Sequence, residues 1–411
     1  MSEIHRVDTT APAAGPSTLA VRGGRTPDPL TGSVTTPIYQ TTTYAQDGVG
    51  RDRGHTYSRA SNPTVSALEE ALGAFENAPP AVAFGTGMGA ITTLLLTVTG
   101  RGDHVIVSEV VYGGTVRFLR EILARFGVEA SFVDTSDARN VEAALRDNTR
   151  LVLAESPGNP TLVLADLHEI AAVTRNAGVL FAVDNTFLTA AICRPLDLGA
   201  DVVVLSTTKF VDGHNATVGG ALLARDETLL EQLRRVRKTT GTIQSPQNAW
   251  LTLQGLKTLP LRLREHSANA EAVARWLESH PSVRRVVYPG LPSFPQADLA
   301  RRQHRQHHGG VLGFDVVGGT EAGIAVLENV RLCILAENLG AAETLITHPA
   351  SMTHGDVPAS QREAAGITDG WIRLSVGLEN PGDIIHDLDR ALDAAASITN
   401  RAAAGVGGGA R

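Results

Sequence analysis

From residue 63 onward, short runs of consecutive apolar residues alternate with longer stretches whose apolar positions recur at helical spacing. The runs at 81–84, 105–107, 151–154, 180–183 and 202–205 are apolar without interruption, the pattern of strands buried on both faces. The stretches at 89–98, 115–126, 138–146 and 166–177 predict helices between them, and this βαβα rhythm predicts an α/β fold with a mostly parallel sheet covered by helices on both faces. Asn62, Pro63 and Thr64 open a helix with proline in its first turn, and 66–75 continues it at helical spacing. Past about residue 225 the rhythm changes to a long helical region, 247–280. GGVLGFDVVGG and WIRLSVGLE then predict two strands of a smaller α+β domain. Ahead of residue 63 the chain is turn-rich and poorly periodic, with Pro27, Pro29 and Pro37. A stretch that long without regular structure needs a surface to lie on. The expected organisation is an arm over 1–62 contacting a neighbouring subunit, a large domain over 63–255, a small domain over 256–398 and a disordered tail over 399–411.

Composition narrows the class. A chain of 411 residues can bury a large core in two domains. A net charge of -7 and a pI near 6.0 give no reason to expect nucleic acid or an anionic membrane as partner. Two cysteines, Cys193 and Cys333, stand far apart, which indicates neither a disulfide framework nor a zinc site. The N-terminal residues carry acid, base and proline where a signal peptide would be apolar, and no apolar run is long enough to span a bilayer. A cytoplasmic, soluble protein is expected.

Ligands of open parallel sheets bind beyond the carboxyl ends of the strands, so the polar residues after each apolar run are the candidates. In VVVLSTTKFVDGHNATVGG, 202–220, the strand leads through Ser206, Thr207 and Thr208 to Lys209. A lysine at the edge of a core can shift its pKa downward and act as nucleophile or base, although an ordinary lysine leaving a strand for water would look the same in isolation. GTGMGA, 85–90, opens the helix after another strand. Its glycines let backbone N–H groups approach an anion, and the same string also suits a plain tight turn. Asp184, in AVDNTF, ends a buried strand and needs a cation such as a protonated pyridine nitrogen, unless it caps the next turn. In ESPGNP, Asn159 can hydrogen-bond a ring hydroxyl. Tyr112, before Gly113 and Gly114, can lie flat on a planar cofactor, or be a core tyrosine. Arg373, among apolar neighbours in WIRLSVG, wants a carboxylate, from a substrate or from a structural salt bridge.

A lysine, an acid closing a buried strand, a glycine-rich loop before a helix and an aromatic are together what covalently held pyridoxal phosphate (PLP) requires. A nucleotide-dependent dehydrogenase using GTGMGA lacks the acidic residue ending a second strand about 20 residues on, and leaves Lys209 without a role. His304, His307 and His308 are crowded by Arg301, Arg302 and Arg305 with no interleaved carboxylate, so they predict a solvated helix end and no metal site.

With these pieces in order, the chain resembles, over nearly its whole length, the transsulfuration family of PLP enzymes: cystathionine γ-synthase, cystathionine γ-lyase, methionine γ-lyase and the homoserine sulfhydrylases. The strings that carry the resemblance are TYSRASNPT, FGTGMGAI, VYGGT, ESPGNP, VDNTF, STTKFVDGH, GLKTLPLR, HPASMTH and IRLSVGLE. The resemblance implies PLP fold type I, like aspartate aminotransferase, with a mostly parallel large domain that binds the cofactor and a smaller C-terminal α+β domain. It implies a homotetramer of two catalytic dimers acting on a small amino acid. Lys209 would form the imine with the cofactor aldehyde, Asp184 would pair with the pyridinium nitrogen and Tyr112 would stack on the ring. Gly87, Met88, Ser206 and Thr208 would hold the phosphate, joined by Tyr57 and Arg59 from a neighbouring subunit. Arg373 would take the substrate carboxylate.

The implied chemistry is γ-elimination or γ-replacement on an amino acid with a leaving group at Cγ. Lyase and synthase share every residue named so far. Gly114 stands where methionine γ-lyases usually carry cysteine, and Glu337 in LAENLG matches the glutamate that faces the distal part of the substrate in cystathionine enzymes. Both point to cystathionine synthesis or cleavage. Ala216 in GHNA, Asn338, Gln254 and Lys238 depart from the family's usual residues. Asn338, where serine is usual, lies with Glu337 near the expected substrate end, which leaves open a specialised γ-lyase or γ-synthase acting on a non-standard amino acid.

Overall fold

The uninterrupted apolar runs do form strands, and the computed structural model, which describes residues 14–353, 355 and 359–406, gathers them into one seven-stranded sheet. The chain divides into two units, the first made of the described residues of Met1–Ser108, Gly114–Ala154 and Ala165–Leu261. In chain order come α1 (Pro16–Arg22), α2 (Pro63–Glu76), β1 (Val82–Phe84), α3 (Gly87–Val98), β2 (His104–Ser108), α4 (Gly113–Arg117), β3 (Glu129–Val133), α5 (Ala138–Ala144) and β4 (Thr149–Glu155). They are followed by α6 (Leu167–Ala177), β5 (Leu180–Asp184), α7 (Thr189–Ile192), β6 (Val202–Leu205), β7 (Gly220–Ala224), α8 (Glu227–Thr240) and α9 (Pro246–Glu278). The sheet order is β1-β7-β6-β5-β4-β2-β3. β2 runs parallel to β3 and β4, and β5 to β6, while β7 is antiparallel to both β6 and β1. The expected mostly parallel α/β fold is therefore present, with an antiparallel edge.

Local chemistry explains the boundaries. Asn62 caps α2 by accepting from the Thr64 N–H at 2.9 Å, with Pro63 in the first turn as the sequence predicts. Gly178 ends α6 at φ 66°, where a side chain would be strained. Other elements differ from expectation. The helix predicted over 115–126 breaks after α4 into a π turn, Phe118–Ile122, and a 3-10 turn, Leu123–Phe126. The segment ahead of residue 63 contains the helix α1, which starts at a proline and ends before Gly23. β3 escaped the apolar reading because it is an edge strand whose sequence, EASFV, is only partly buried.

The second unit takes the described residues of Glu109–Gly113, Glu155–Leu164 and Arg262–Arg411. It holds β8 (Val283–Val287), α10 (Ala297–Gln303), β9 (Val311–Val316), α11 (Gly319–Asn329), β10 (Ile334–Leu335), β11 (Leu345–Thr347), α12 (Ala359–Ala364), β12 (Trp371–Ser375) and α13 (Pro381–Val406). The sheet order is β10-β11-β12-β9-β8, with the two predicted strands, β9 and β12, side by side and antiparallel. Leu312, Phe314, Ile372 and Leu374 pack with Val273 and Leu277 of α9, Val326 of α11 and Leu388 of α13. Each such side chain contributes about 1.5–3 kcal/mol on burial. The tail expected from residue 399 overlaps the end of α13, and residues 407–411 lie outside the described residues, as do 1–13 of the expected arm. In the histidine-rich segment read as a solvated helix end, Arg301, Arg302 and Arg305 are exposed, but His304 is buried, its Nδ1 lies 3.1 Å from Nδ1 of His308, and burial pushes its pKa down to about 3. No described helix is long and apolar enough to cross a membrane.

His266 on α9 is fully buried and donates from Nδ1 to the Val376 carbonyl at 2.7 Å, and burial lowers its pKa to about 4. It is neutral in the fold but titrates near its ordinary value of about 6.5 when unfolded. Its contribution is therefore full above about pH 6.5 and is lost as pH falls toward about 4, at up to about 1.4 kcal/mol per pH unit. Denaturant titrations of the wild type and of His266→Gln across this window should show a shallower pH slope in the variant. Equal slopes would contradict this assignment.

Candidate active site

The ends of β5 and β6 are held in fixed register. Asp184 pairs with Val204, and the Asn185 N–H donates to the Val204 carbonyl at 3.0 Å. Thr186 locks the turn after β5: its hydroxyl and its N–H both donate to Asp184 Oδ1, at 2.5 and 3.0 Å, while its Oγ1 accepts from the Ser206 N–H at 2.9 Å. The carboxylate is thereby tied to the strand end that carries Ser206. Asp184 does cap the next turn, but through one oxygen. Burial pushes its carboxyl pKa up, against the two bonds from Thr186, although part of the residue's surface stays open. A desolvated carboxylate in that position calls for a cation. Sequence reasoning singled out Asp184 and Ser206 and missed Thr186; a hydroxyl two residues past an aspartate was the available signal.

Beyond β6 the chain turns sharply. The Lys209 N–H donates to the Ser206 carbonyl at 3.3 Å, and the Lys209 carbonyl accepts from Gly213 at 2.8 Å. Lys209 itself is half-buried. Thr208 Oγ1 donates to the Gly219 carbonyl at 3.1 Å and accepts from the Gly219 N–H at 3.0 Å, so its proton is engaged. Buried Asp212 shapes the loop by accepting from the N–H groups of His214 and Ala216, at 3.2 and 3.0 Å. Ala216 takes part through its backbone, a contact that the departure at this position leaves in place.

The glycine-rich string GTGMGA becomes the start of α3. Thr86 caps the helix by accepting from the Gly89 N–H at 2.8 Å. No described residue accepts from the N–H groups of Gly87 or Met88, which lie in the first turn where a helix offers no internal partner. A Cβ on Gly87 would come within 2.9 Å of Ser206 Cβ and 3.0 Å of its Oγ, so glycine lets the helix start close on Ser206. Two unspent amides at a helix N-terminus beside a hydroxyl fit a phosphate. Tyr57 and Arg59 are both exposed; the guanidinium lies 5.6 Å from the Tyr57 ring centroid and donates to the Lys238 carbonyl at 2.5 Å.

In the second unit, Arg373 sits in the middle of β12, 5% exposed. Nη1 donates to Asn159 Oδ1 at 2.9 Å and Nη2 to the Asn338 carbonyl at 3.1 Å, while buried Nε has no acceptor among the described residues. Burial lowers its pKa to about 10, opposed by the charges of Glu337 and Glu155. Among the described residues it makes no salt bridge, so the structural ion pair that a strand arginine invites is missing. Asn159 spends its carbonyl oxygen on Arg373, which leaves its amide nitrogen as a donor. Glu337 is exposed and Asn338 half-buried. Tyr112 is 47% exposed, so it is no core tyrosine, and its N–H donates to Glu155 Oε2 at 2.8 Å. Glu155, the acid that opens ESPGNP, was not singled out in the sequence.

Lys209, Asp184, Ser206, Thr208, Gly87, Met88, Tyr57 and Arg59 thus belong to the first unit, and Tyr112, Asn159, Arg373, Glu337 and Asn338 to the second. The chain is 44% identical over 376 residues to a cystathionine γ-lyase of Bacillus subtilis (strain 168), covering 92% of this chain and 98% of the relative. It is also 44% identical over 380 residues to a cystathionine γ-synthase of Mycobacterium tuberculosis (strain H37Rv), covering 92% and 97%. The crystal structure of a cystathionine γ-lyase from Lactobacillus plantarum complexed with L-serine superposes with a TM-score of 0.90 at 36% identity, over 93% of this chain and 100% of that one. Residues 17–393 match the family described as Cys/Met metabolism PLP-dependent enzyme, and the chain belongs to that family.

Proposed function

We propose that this PLP-dependent enzyme catalyses γ-elimination or γ-replacement on an amino acid with a leaving group at Cγ, with cystathionine as substrate or product. The observation that carries the reading is Arg373: a buried guanidinium on neutral acceptors, with Nε unspent, is suited to an amino-acid carboxylate. Bound PLP supplies the electron sink that stabilises negative charge developing beside the amino-acid nitrogen. Lys209 would hold the cofactor, and its amine is the base that would move protons at Cα and then Cβ of the substrate. Asp184 keeps the ring nitrogen protonated by holding a negative charge beside it. The amides of Gly87 and Met88 and the Ser206 hydroxyl hold the phosphate, with Thr208 beside them and Tyr57 and Arg59 reaching in from a neighbouring subunit of a homotetramer. Tyr112 offers its aromatic face to the ring and Asn159 a donor to the ring hydroxyl. The cytoplasm is the proposed compartment, on sequence grounds.

Glu337 supports the cystathionine assignment. It is exposed, and its charge acts on Arg373, so a substrate bound by its carboxylate can present a distal ammonium to it. Asn338 contributes its carbonyl to the position of the arginine. Relatives at the same identity carry lyase and synthase names, so sequence distance does not separate the two activities.

Incubation with cystathionine alone should release cysteine, a 2-oxo acid and ammonia if the enzyme is a lyase. O-succinyl- or O-acetylhomoserine with cysteine should yield cystathionine if it is a synthase. Turnover of L-methionine with neither of these reactions would overturn the cystathionine assignment. Arg373→Leu is expected to lower kcat/KM by about 100-fold, ~2.7 kcal/mol of transition-state stabilisation. An unchanged kcat/KM would remove the carboxylate role. Gly87→Val should raise the dissociation constant of PLP about tenfold, read from the visible absorbance retained on dialysis.

A further inference from the structure

The last turn of α8 carries a buried ion pair that the proposed chemistry does not use. Arg237, 1% exposed, pairs through Nη1 with Oε1 of Glu69 on α2, itself 6% exposed. β1 is the edge strand of its sheet, with β7 on one side and no described strand on the other. Edge N–H and C=O groups that are buried need partners. The pair supplies them: the Ala83 N–H donates to Glu69 Oε1 at 2.9 Å and the Ala83 carbonyl accepts from Arg237 Nη1 at 2.8 Å. Two charged side chains thus stand where the next strand would be. Just beyond, the Gly85 N–H donates to the Thr242 carbonyl at 2.8 Å and Phe84 bridges Ile243, residues that come directly after α8.

The same guanidinium reaches a second segment. Arg237 Nη2 donates to the Ala60 carbonyl at 3.3 Å, in the turn closed by the N–H groups of Ala60 and Ser61 on the Tyr57 carbonyl. Arg59 is tied to the same helix end through the Lys238 carbonyl. One helix terminus therefore holds both the Ala83–Gly85 backbone that leads into Gly87 and the Tyr57–Arg59 turn. A buried ion pair is weak evidence of a purely stabilising role, because apolar replacements are often neutral or better. Its hydrogen bonds to two separate backbones do something that apolar side chains cannot.

We infer that Arg237 and Glu69 are positioning residues for the cofactor phosphate sites, setting from one point the register of the Gly87–Met88 amides of their own subunit's site and of the Tyr57–Arg59 turn that serves a neighbour's. The inference rests on the phosphate roles proposed above. It predicts that breaking the pair weakens binding of the phosphate end of the cofactor selectively. The test resolves the holoenzyme and measures rebinding of PLP and of pyridoxal, which lacks the phosphate, by their visible absorbance. In Arg237→Gln the preference for PLP over pyridoxal should fall about tenfold, the low end of what is lost when the groups that orient metal ligands are removed. Arg237→Lys, which keeps the charge but loses the fork, should lie between, and serves if the glutamine variant does not fold. Ile170→Ala, a buried change on α6 in the same unit, supplies a destabilised control whose preference should be unaltered. If Arg237→Gln weakens both ligands equally, as the control would, the pair is only structural and the inference fails. If Gly87→Val also leaves the preference intact, the cradle reading fails and this inference with it.

Discussion

Taking a carboxylate out of water costs several kcal/mol unless a cation meets it, and the first unit is arranged around one such group. Asp184 ends a strand whose neighbours are apolar, and burial raises its pKa. Thr186 ties one of its oxygens to the turn and, through Ser206, to the end of β6. Because β5 and β6 run parallel in a fixed register, the acid and the Ser206–Lys209 turn emerge at the same edge of the sheet. Gly87 lets α3 begin against Ser206, so unspent helix amides join them. The demand for a positive charge, the unspent helix amides beside Ser206 and the lysine all arise from how three strands end.

The second unit presents the complementary demand. Arg373 is buried in β12 with neutral acceptors on two of its nitrogens and none among the described residues on the third. Asp184 in the first unit and Arg373 in the second are thus desolvated charges that make no salt bridge among the described residues. In the function proposed above, a protonated ring nitrogen would answer the first and an amino-acid carboxylate the second.

Much of this was legible in the chain. Asp184, Lys209 and Arg373 stand beside or within apolar runs, where a polar group needs a reason, and Gly87 lies in a glycine-rich string between strand and helix. β2, β4, β5 and β6 are buried enough to read as continuous apolar strings. The features that escaped depend on partners far away in sequence or on partial exposure. β3 lies at an edge and mixes polar with apolar residues. Thr186 matters through a bond to Ser206, and Glu69 through an arginine on another helix. The burial of His304 depends on packing that its basic neighbours conceal. Asn159 was found by its motif, but only the structure assigns its oxygen to Arg373.

The central claim is that Lys209 is the residue that holds PLP. Borohydride reduction of the purified yellow protein, with peptide mapping of the product, tests it directly. The account predicts loss of the visible band and a pyridoxyl group on the peptide that contains Lys209. A pyridoxyl group on a different lysine, or a colourless protein with none, would contradict it.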